Sequence, residues 1–476
     1  MKTGLAAGAL LAVDRTQAAP DELTDLSLLE ASERIRQGSV SPVDLTRACL
    51  ARIERLNPVL NAFIRVTAEE ALKQARALEA EQRRGKLRGP LHGIPIALKD
   101  LIDVKGVPTT AASAVFADRV AAADAEVVRR LKQRGAVLLG KLNMDEFAYN
   151  FTSETSHFGP IHNPWSLERT PGGSSGGAAA AVAARLCFGA VGSDTGGSIR
   201  QPAAFCGIVG LKPSLGLVST RGAVPLAWSL DHLGPMCRSV ADAAVMLGAM
   251  AGYDPELTGS VRREPPDYAA GLPGKVSALR LGVPRALFYE ELDPEIEAAV
   301  NEALRQLRSM TAGVRDVELP PIGDLPVITA EAYAYHEPRL TTKGHLYHPL
   351  TLQNILLGSD VSMPEYARAL LKLGRLRRGA AELFSEVDLL ITPTTPQPPI
   401  RLELAEGKVP DIVLLRNAIP MNIYDLPTIS VPCGFTRGGL PIGLQISGPR
   451  LGEPAVLALA HAYEQANEWR RRRPAV

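Results

Sequence analysis

Long hydrophobic runs, paired cysteines and an excess of either charge are all missing from this chain, and each absence excludes something. No stretch of about 18 apolar residues occurs, so no segment reads as a membrane span and no membrane partner is expected. The five cysteines (Cys49, Cys187, Cys206, Cys237 and Cys433) show no CxxC spacing, which fits neither a zinc site nor a disulfide framework and reads as mostly buried thiols. Lysine plus arginine number 52 against 51 for aspartate plus glutamate, so no bulk field draws in nucleic acid, and none is expected as a partner. Internal repeats, low-complexity tracts and Pro/Ser-rich linkers are absent too, which favours one compact unit over a string of modules.

What is present is the material of a large core: 476 residues, 46% of them hydrophobic. The first 20 residues, "MKTGLAAGALLAVDRTQAAP", read either as a disordered N-terminus or as leader-like, resembling the tail of a twin-arginine export signal without its arginine pair. The expected location is cytoplasmic as the chain stands, or periplasmic if a precursor carries the complete signal. From Leu26 to Asn57 the pattern predicts two amphipathic helices, with Ser41 as N-cap and Pro42 as first helical residue of the second. A third, "AEEALKQARALEAEQRRG", closes at Gly85. Short apolar runs follow, among them "IPIAL", "AVLLG", "CFGAVGSD", "IVGLK", "DLLITP" and "TISVPCGF", each bounded by Gly, Pro or Asp. Buried strands alternating with helices predict an α/β layered sheet, with a peripheral helical region near Glu331 to Glu386.

Two Gly/Ser clusters carry the chemistry. "PGGSSGGAAAAVAA" (Pro171 to Ala184) feeds a small-residue helix rather than polar coil, which argues against a linker and makes Ser174 or Ser175 a candidate helix cap. Gly172 to Gly176 also matches the Gly-x-Ser-x-Gly elbow, but "NPWSLERTP" before it is no strand, and no histidine stands in a recognisable triad context. "GSDTGGSIRQPAAFCGIVGLKP" ends a probable strand in a glycine-rich turn whose backbone N–H groups can point one way, a shape suited to an oxyanion, with Ser198 closing it. Lys99 ends the apolar run of "GIPIALKD", where it is either a snorkelling residue or a buried amine with a depressed pKa.

"GIPIALKD", "GKLNMDEF", the two clusters and "LPTISVPCGF...GLPIGLQISGP" together resemble the amidase signature family, in order and spacing, from about Leu26 to Trp469. That resemblance implies a single α/β/α layered domain over 21–476 with a large mixed central sheet covered by helices, a catalytic core at about 85–240 and a variable substrate-side region at about 260–390. It also implies a Ser-cisSer-Lys triad. Ser198 would be the nucleophile, Ser174, which lies 24 residues earlier, the bridging serine after a cis peptide bond, and Lys99 the base. Backbone amides of Thr195, Gly196, Gly197 and Ser198 would hold the oxyanion. No cofactor and no metal are needed; the partners expected are a small-molecule amide and water, with a homodimer left open. Ser175, Asp194 and Arg200 match the motif in what reads as a structural role.

Within the family's range, the segment "EAYAYHEPRLTTKGHLYHP" lacks the Ser-Asn-Leu-Ala-Arg-Tyr-Asp-Gly-like stretch expected of the glutaminase component of a tRNA-dependent amidotransferase. Together with the leader, this favours a stand-alone hydrolase of small, uncharged aliphatic or aryl amides, carbamates or esters over that component. A non-catalytic scaffold is disfavoured by the intact Lys99, Ser174 and Ser198. Similar enzymes build their substrate walls from stretches that here contain Tyr149, Phe151, Trp228, Ile419 and Tyr424, each apolar or amphipathic enough to line a pocket.

Overall fold

A computed structural model describes residues 20–272, 274–402 and 414–476. The leader-like segment 1–20 lies outside them, apart from Pro20, which opens a short helix. The two amphipathic helices form at Leu28–Arg36 and Pro42–Leu60. Ser41 caps the second through its hydroxyl, which accepts from Asp44 N, while the Asp44 carboxylate accepts from Ser41 N. The third, Ala68–Arg83, stops before Gly85, whose φ of +71° is the left-handed turn that glycine adopts freely.

All six apolar runs become strands of one mixed sheet of eleven: β1 (Phe63–Val66), β2 (Pro95–Lys99), β3 (Val137–Leu142), β4 (Gly189–Asp194), β5 (Val209–Lys212), β6 (His232–Cys237), β7 (Arg280–Pro284), β8 (Gly313–Val317), β9 (Leu389–Pro393), β10 (Thr428–Phe435) and β11 (Pro441–Ser447). Their order is β1-β3-β2-β4-β6-β5-β10-β11-β9-β7-β8. β2 runs parallel to both β3 and β4, β7 parallel to β8 and β9, and the other pairings are antiparallel. Five strands lie outside those six runs: β11 falls in the motif segment "GLPIGLQISGP", and the other four escape the reading for identifiable reasons. β6 contains Gly234 and Pro235, β7 alternates Leu281 and Val283 with Arg280, Gly282 and Pro284, and the edge strands β1 and β8 leave several side chains half-buried or exposed, so the apolar signal of each is short. The helices Val327–Lys343, Pro349–Leu356 and Met363–Glu382 form the expected peripheral region. All five cysteines are free and buried, and among the described residues no helix is long and apolar enough to cross a membrane.

The sheet sets the place of the site. β2 and β4 are parallel neighbours, so their C-terminal ends, Lys99 and Ser193–Asp194, emerge on the same edge. The helix Gly176–Ala183 is buried at every one of its eight residues, which its "GGAAAAVA" sequence permits, since small side chains let a helix approach the sheet closely. Gly177 shows how tight this fit is. A Cβ placed there would lie 2.3 Å from the Asn143 carbonyl oxygen and 2.6 Å from that of Ala62.

Gly177→Ala should therefore destabilise the fold by about 1–3 kcal/mol, because backbone rather than a mobile side chain must move. Gly248→Ala, in the helix Val240–Met250 where an added Cβ meets only Tyr268 at 4.0 Å, should be neutral or stabilising. Denaturant midpoints of the two variants check the contrast.

Candidate active site

The helix Gly176–Ala183 delivers Ser174 and Ser175 to the sheet edge where Lys99 ends β2. The peptide bond between Gly173 and Ser174 is cis. Lys99 Nζ lies 2.7 Å from Ser174 Oγ, 2.9 Å from Ser193 Oγ and 3.0 Å from Ser175 Oγ, and all four residues are buried. Neither serine caps the helix with its side chain. Ser175 occupies the N-cap position, but its hydroxyl donates to the Ser193 carbonyl and accepts from Lys99 instead.

Burial pulls the Lys99 amine down to about 7; the charges of Asp145, Asp194 and Asp231 act in the opposite direction without overcoming it. A neutral amine has two N–H donors and one lone pair. Because the Ser175 proton is committed to the Ser193 carbonyl, Ser175 takes one N–H, and the lone pair is left to accept from Ser174 or Ser193. An amine in that state can draw a proton out of a hydroxyl at neutral pH.

The turn after β4 brings Ser198 to the same place. Ser198 is buried, its carbonyl accepts from Ser175 N at 3.2 Å, and Gly173 N donates to Gln201 Oε1 at 2.9 Å, so the serine pair and the turn are tied together. Asp194 shapes the turn from inside: Oδ1 accepts from Gly197 N at 2.8 Å and Oδ2 from Ile199 N at 3.0 Å. Of the four amides expected at an oxyanion, Gly197 N–H thus has a partner within the turn. Gly197 has φ +126°, and a Cβ there would come within 2.5 Å of that of Ala418, so this corner needs glycine.

Arg200, itself fully buried, grips Asp194 with two hydrogen bonds of 3.0 Å and spends its remaining donors on the Ala418 carbonyl, Gln445 and Asn422. Burial alone would raise the Asp194 carboxyl, but the charge and hydrogen bonds of Arg200 outweigh it and hold the group well below the usual carboxylate range. Asp145 and Asp231 lack such a partner, and burial pushes both up to about 6.

A narrow pocket opens beside Lys99, with Ser193, Thr195, Val224, Leu226, Trp228 and Asp231 among its lining. Of the five residues expected on the walls, Trp228 stands at this pocket, half exposed, and Ile419 lies against the turn, 3.1 Å from where a Gly196 Cβ would be. Phe151 presses its backbone against Gly173. Tyr149 is buried with Asn354 on its carbonyl, and Tyr424 sits in an apolar cluster with Met421 and Leu373, its hydroxyl donated to the Pro320 carbonyl. Ser193, Asp145 and Asp231 were missed by sequence reasoning. Each left a signal: Ser193 as the residue before the Asp194 that opens the glycine turn, Asp145 within "GKLNMDEF", and Asp231 at the end of "RGAVPLAWSLD". Among the described residues, no group of three or more His, Cys, Asp and Glu side chains could hold a metal ion.

A family model described as "Amidase" matches residues 44–457. The A subunit of glutamyl-tRNA(Gln) amidotransferase from Myxococcus xanthus is 42% identical, over 95% of this chain and 99% of its own. Among solved structures, an inhibitor-bound complex connected with the origins of an s-triazine catabolic enzyme superposes with a TM-score of 0.88 at 34% identity, covering 93% of this chain and 98% of its own. The corresponding amidotransferase chain from Thermotoga maritima superposes at 0.76 with 32% identity, over 97% and 98%. The curated relatives overturn the expectation of a stand-alone hydrolase of small uncharged amides, and with it the expectation that nucleic acid plays no part. The reason is one of scale: one short missing stretch weighs little against similarity along the whole chain, and a balanced net charge excludes only a non-specific pull on phosphate.

The Arg200 grip yields a direct test of what holds the turn. Arg200→Met leaves Asp194 buried without its counter-charge and should cost about 3–5 kcal/mol in denaturant unfolding at pH 7. Arg200→Lys should recover only part, because an ammonium cannot make the two-pronged contact. Unchanged stability in Arg200→Met would show that Asn422 and the backbone donors hold the carboxylate by themselves.

Proposed function

The chain belongs to the amidase family, whose enzymes act on carbon–nitrogen bonds, and from that premise we propose that it is the amide-cleaving component of a tRNA-dependent amidotransferase, releasing ammonia from glutamine. The observation that carries this reading is the 42% identity to such a component over nearly the full length of both chains. Partner subunits and a tRNA-bound acceptor then belong to the complete reaction, reached through the assembly rather than through a basic surface on this chain.

Ser198 is the nucleophile in this reading, Ser174 the bridge and Lys99 the base. Neutral Lys99 takes the Ser174 proton as Ser174 takes that of Ser198, and the Ser198 oxygen bonds to the amide carbon. The negative charge that develops on the carbonyl oxygen is met by the N–H groups of Thr195, Gly196 and Ser198, each such donor being worth about 2.7–4 kcal/mol in a transition state. The proton returns through Ser174 to the leaving nitrogen, the C–N bond breaks, and ammonia departs. Water then adds to the acyl group on Ser198 by the same proton path in reverse and releases the acid. The 2.7 Å contact between Lys99 and Ser174 supports this path.

Glutamine hydrolysis by the chain with its partner subunits is the deciding assay, and Ser198→Ala should lower it by about 10³-fold or more with the fold intact. Hydrolysis of simple anilides by the isolated chain, with none of glutamine in any assembly, would overturn the reading.

Because burial holds Lys99 near 7, kcat/KM should climb about tenfold per pH unit from acidic pH and level off above about pH 7, as the amine loses its proton and can accept. Lys99→Met should lose both the activity and that limb. An unchanged limb in the variant would assign the titration to another group.

A further inference from the structure

The proton path leaves one carboxylate of the pocket without a task. Asp231 lies at the end of the loop Leu226–Asp231 and accepts from the Thr195 hydroxyl at 2.5 Å, from Leu226 N at 2.9 Å and from Ala227 N at 3.1 Å. Its own N–H donates to the Ala227 carbonyl at 2.8 Å, so the loop closes on itself around the carboxylate. Thr195 is the first residue after β4 and the first of the turn that carries Ser198. Asp194 anchors that turn at Gly197 and Ile199; Thr195 is held from the opposite side, by Asp231.

The loop has an outer anchor as well. Ser229 donates its N–H and its hydroxyl to Glu331 in the helix Val327–Lys343, and Tyr366 in the helix Met363–Glu382 donates to the same carboxylate at 2.9 Å. Arg377, on that second helix, donates to the Ser229 carbonyl at 2.8 Å. A hydrogen-bonded path thus runs from the peripheral helices through the pocket loop to the turn.

We propose that Asp231 is a positioning residue for acyl transfer: through the Thr195 hydroxyl it fixes the start of the turn, so that the Thr195 and Gly196 N–H groups face the oxyanion as it forms. This rests on the reading of Ser198 as nucleophile. The carboxylate reaches the turn through one hydroxyl, and its remaining bonds, to Leu226 N and Ala227 N, hold the pocket loop. A donor misdirected by this route costs transition-state stabilisation while leaving ground-state binding alone.

The test pairs Thr195→Val, which keeps the shape and removes the hydroxyl, with Asp231→Asn and the double variant, in the full chain with its partner subunits. Two probes accompany glutamine turnover: the trifluoromethyl ketone analogue of the side-chain amide, which serine converts to a tetrahedral adduct, and its methyl ketone counterpart, which stays trigonal. In Thr195→Val, kcat should fall by about 10–100-fold with KM within about twofold, and the fluorinated ketone should weaken by the same factor while the methyl ketone does not. The double variant should be no worse than Asp231→Asn alone, since both act on one link. Losses that multiply in the double variant, a rise in KM that accounts for the effect, or equal weakening of both ketones would overturn the proposal. Thr195→Val decides the matter even where Asp231→Asn fails to fold. Ser198→Ala is the separate control: an adduct still seen by fluorine NMR in that variant removes the nucleophile assignment itself, whereas loss of the adduct there with full affinity in Thr195→Val removes only the role of Asp231.

Discussion

A lysine amine stripped of water and given hydroxyls rather than a carboxylate is the constraint around which the rest is arranged. The chain contains its own comparison. Lys141, one strand away on β3, is equally buried, but its ammonium meets Asp100 at 3.0 Å and finds the ion pair that a buried charge requires. Asp100 is the residue directly after Lys99, yet successive side chains along a strand point to opposite faces, so its carboxylate serves the neighbouring strand. Lys99 is left with Ser174, Ser175 and Ser193, which can hydrogen-bond an amine but cannot neutralise an ammonium. Burial then favours the uncharged form, and a group that elsewhere is a cation becomes a base near neutral pH.

Keeping hydroxyls and amides in place around such an amine demands a rigid frame, and the frame is ionic where it is deepest. The Asp194–Arg200 pair spans the turn from within, with Gln445, Asn422 and the Ala418 carbonyl completing the guanidinium's contacts, so strands β4 and β11 and the segment around residues 418–422 are bound to one point. Small residues do the remaining work: the alanine-rich helix lies against the sheet with no room for one methyl at Gly177. Chemistry and packing are therefore coupled here, since the glycines that expose backbone amides also permit the close approach that holds them.

The pocket side is built differently. Its loop hangs between the turn and the peripheral helices by the hydrogen bonds that Ser229 gives to Glu331 and receives from Arg377, and most of its lining residues are apolar. Every residue lining the pocket lies between Leu101 and Leu233, and the later helices meet its loop through Glu331 and Arg377 at Ser229.

Lys99, Ser174 and Ser198 drew their roles from the resemblance to a family; what the sequence determined by itself were the elements with strong local signals, the capped helices and the six apolar strands. Composition and spacing carry these because capping, burial and turn chemistry act over a few residues. They did not carry β6, broken by Gly234 and Pro235, nor the pocket as a whole, where Trp228 stands at the wall but Tyr424 turns away to Pro320. Only the tertiary structure decided that Ser193 completes the shell of Lys99, that Ser175 faces the amine instead of capping its helix, and that Asp231 reaches Thr195 from 36 residues away. Each of those contacts joins segments distant in the chain, and no local pattern encodes which distant partner a polar side chain meets once the sheet has brought the strand ends together.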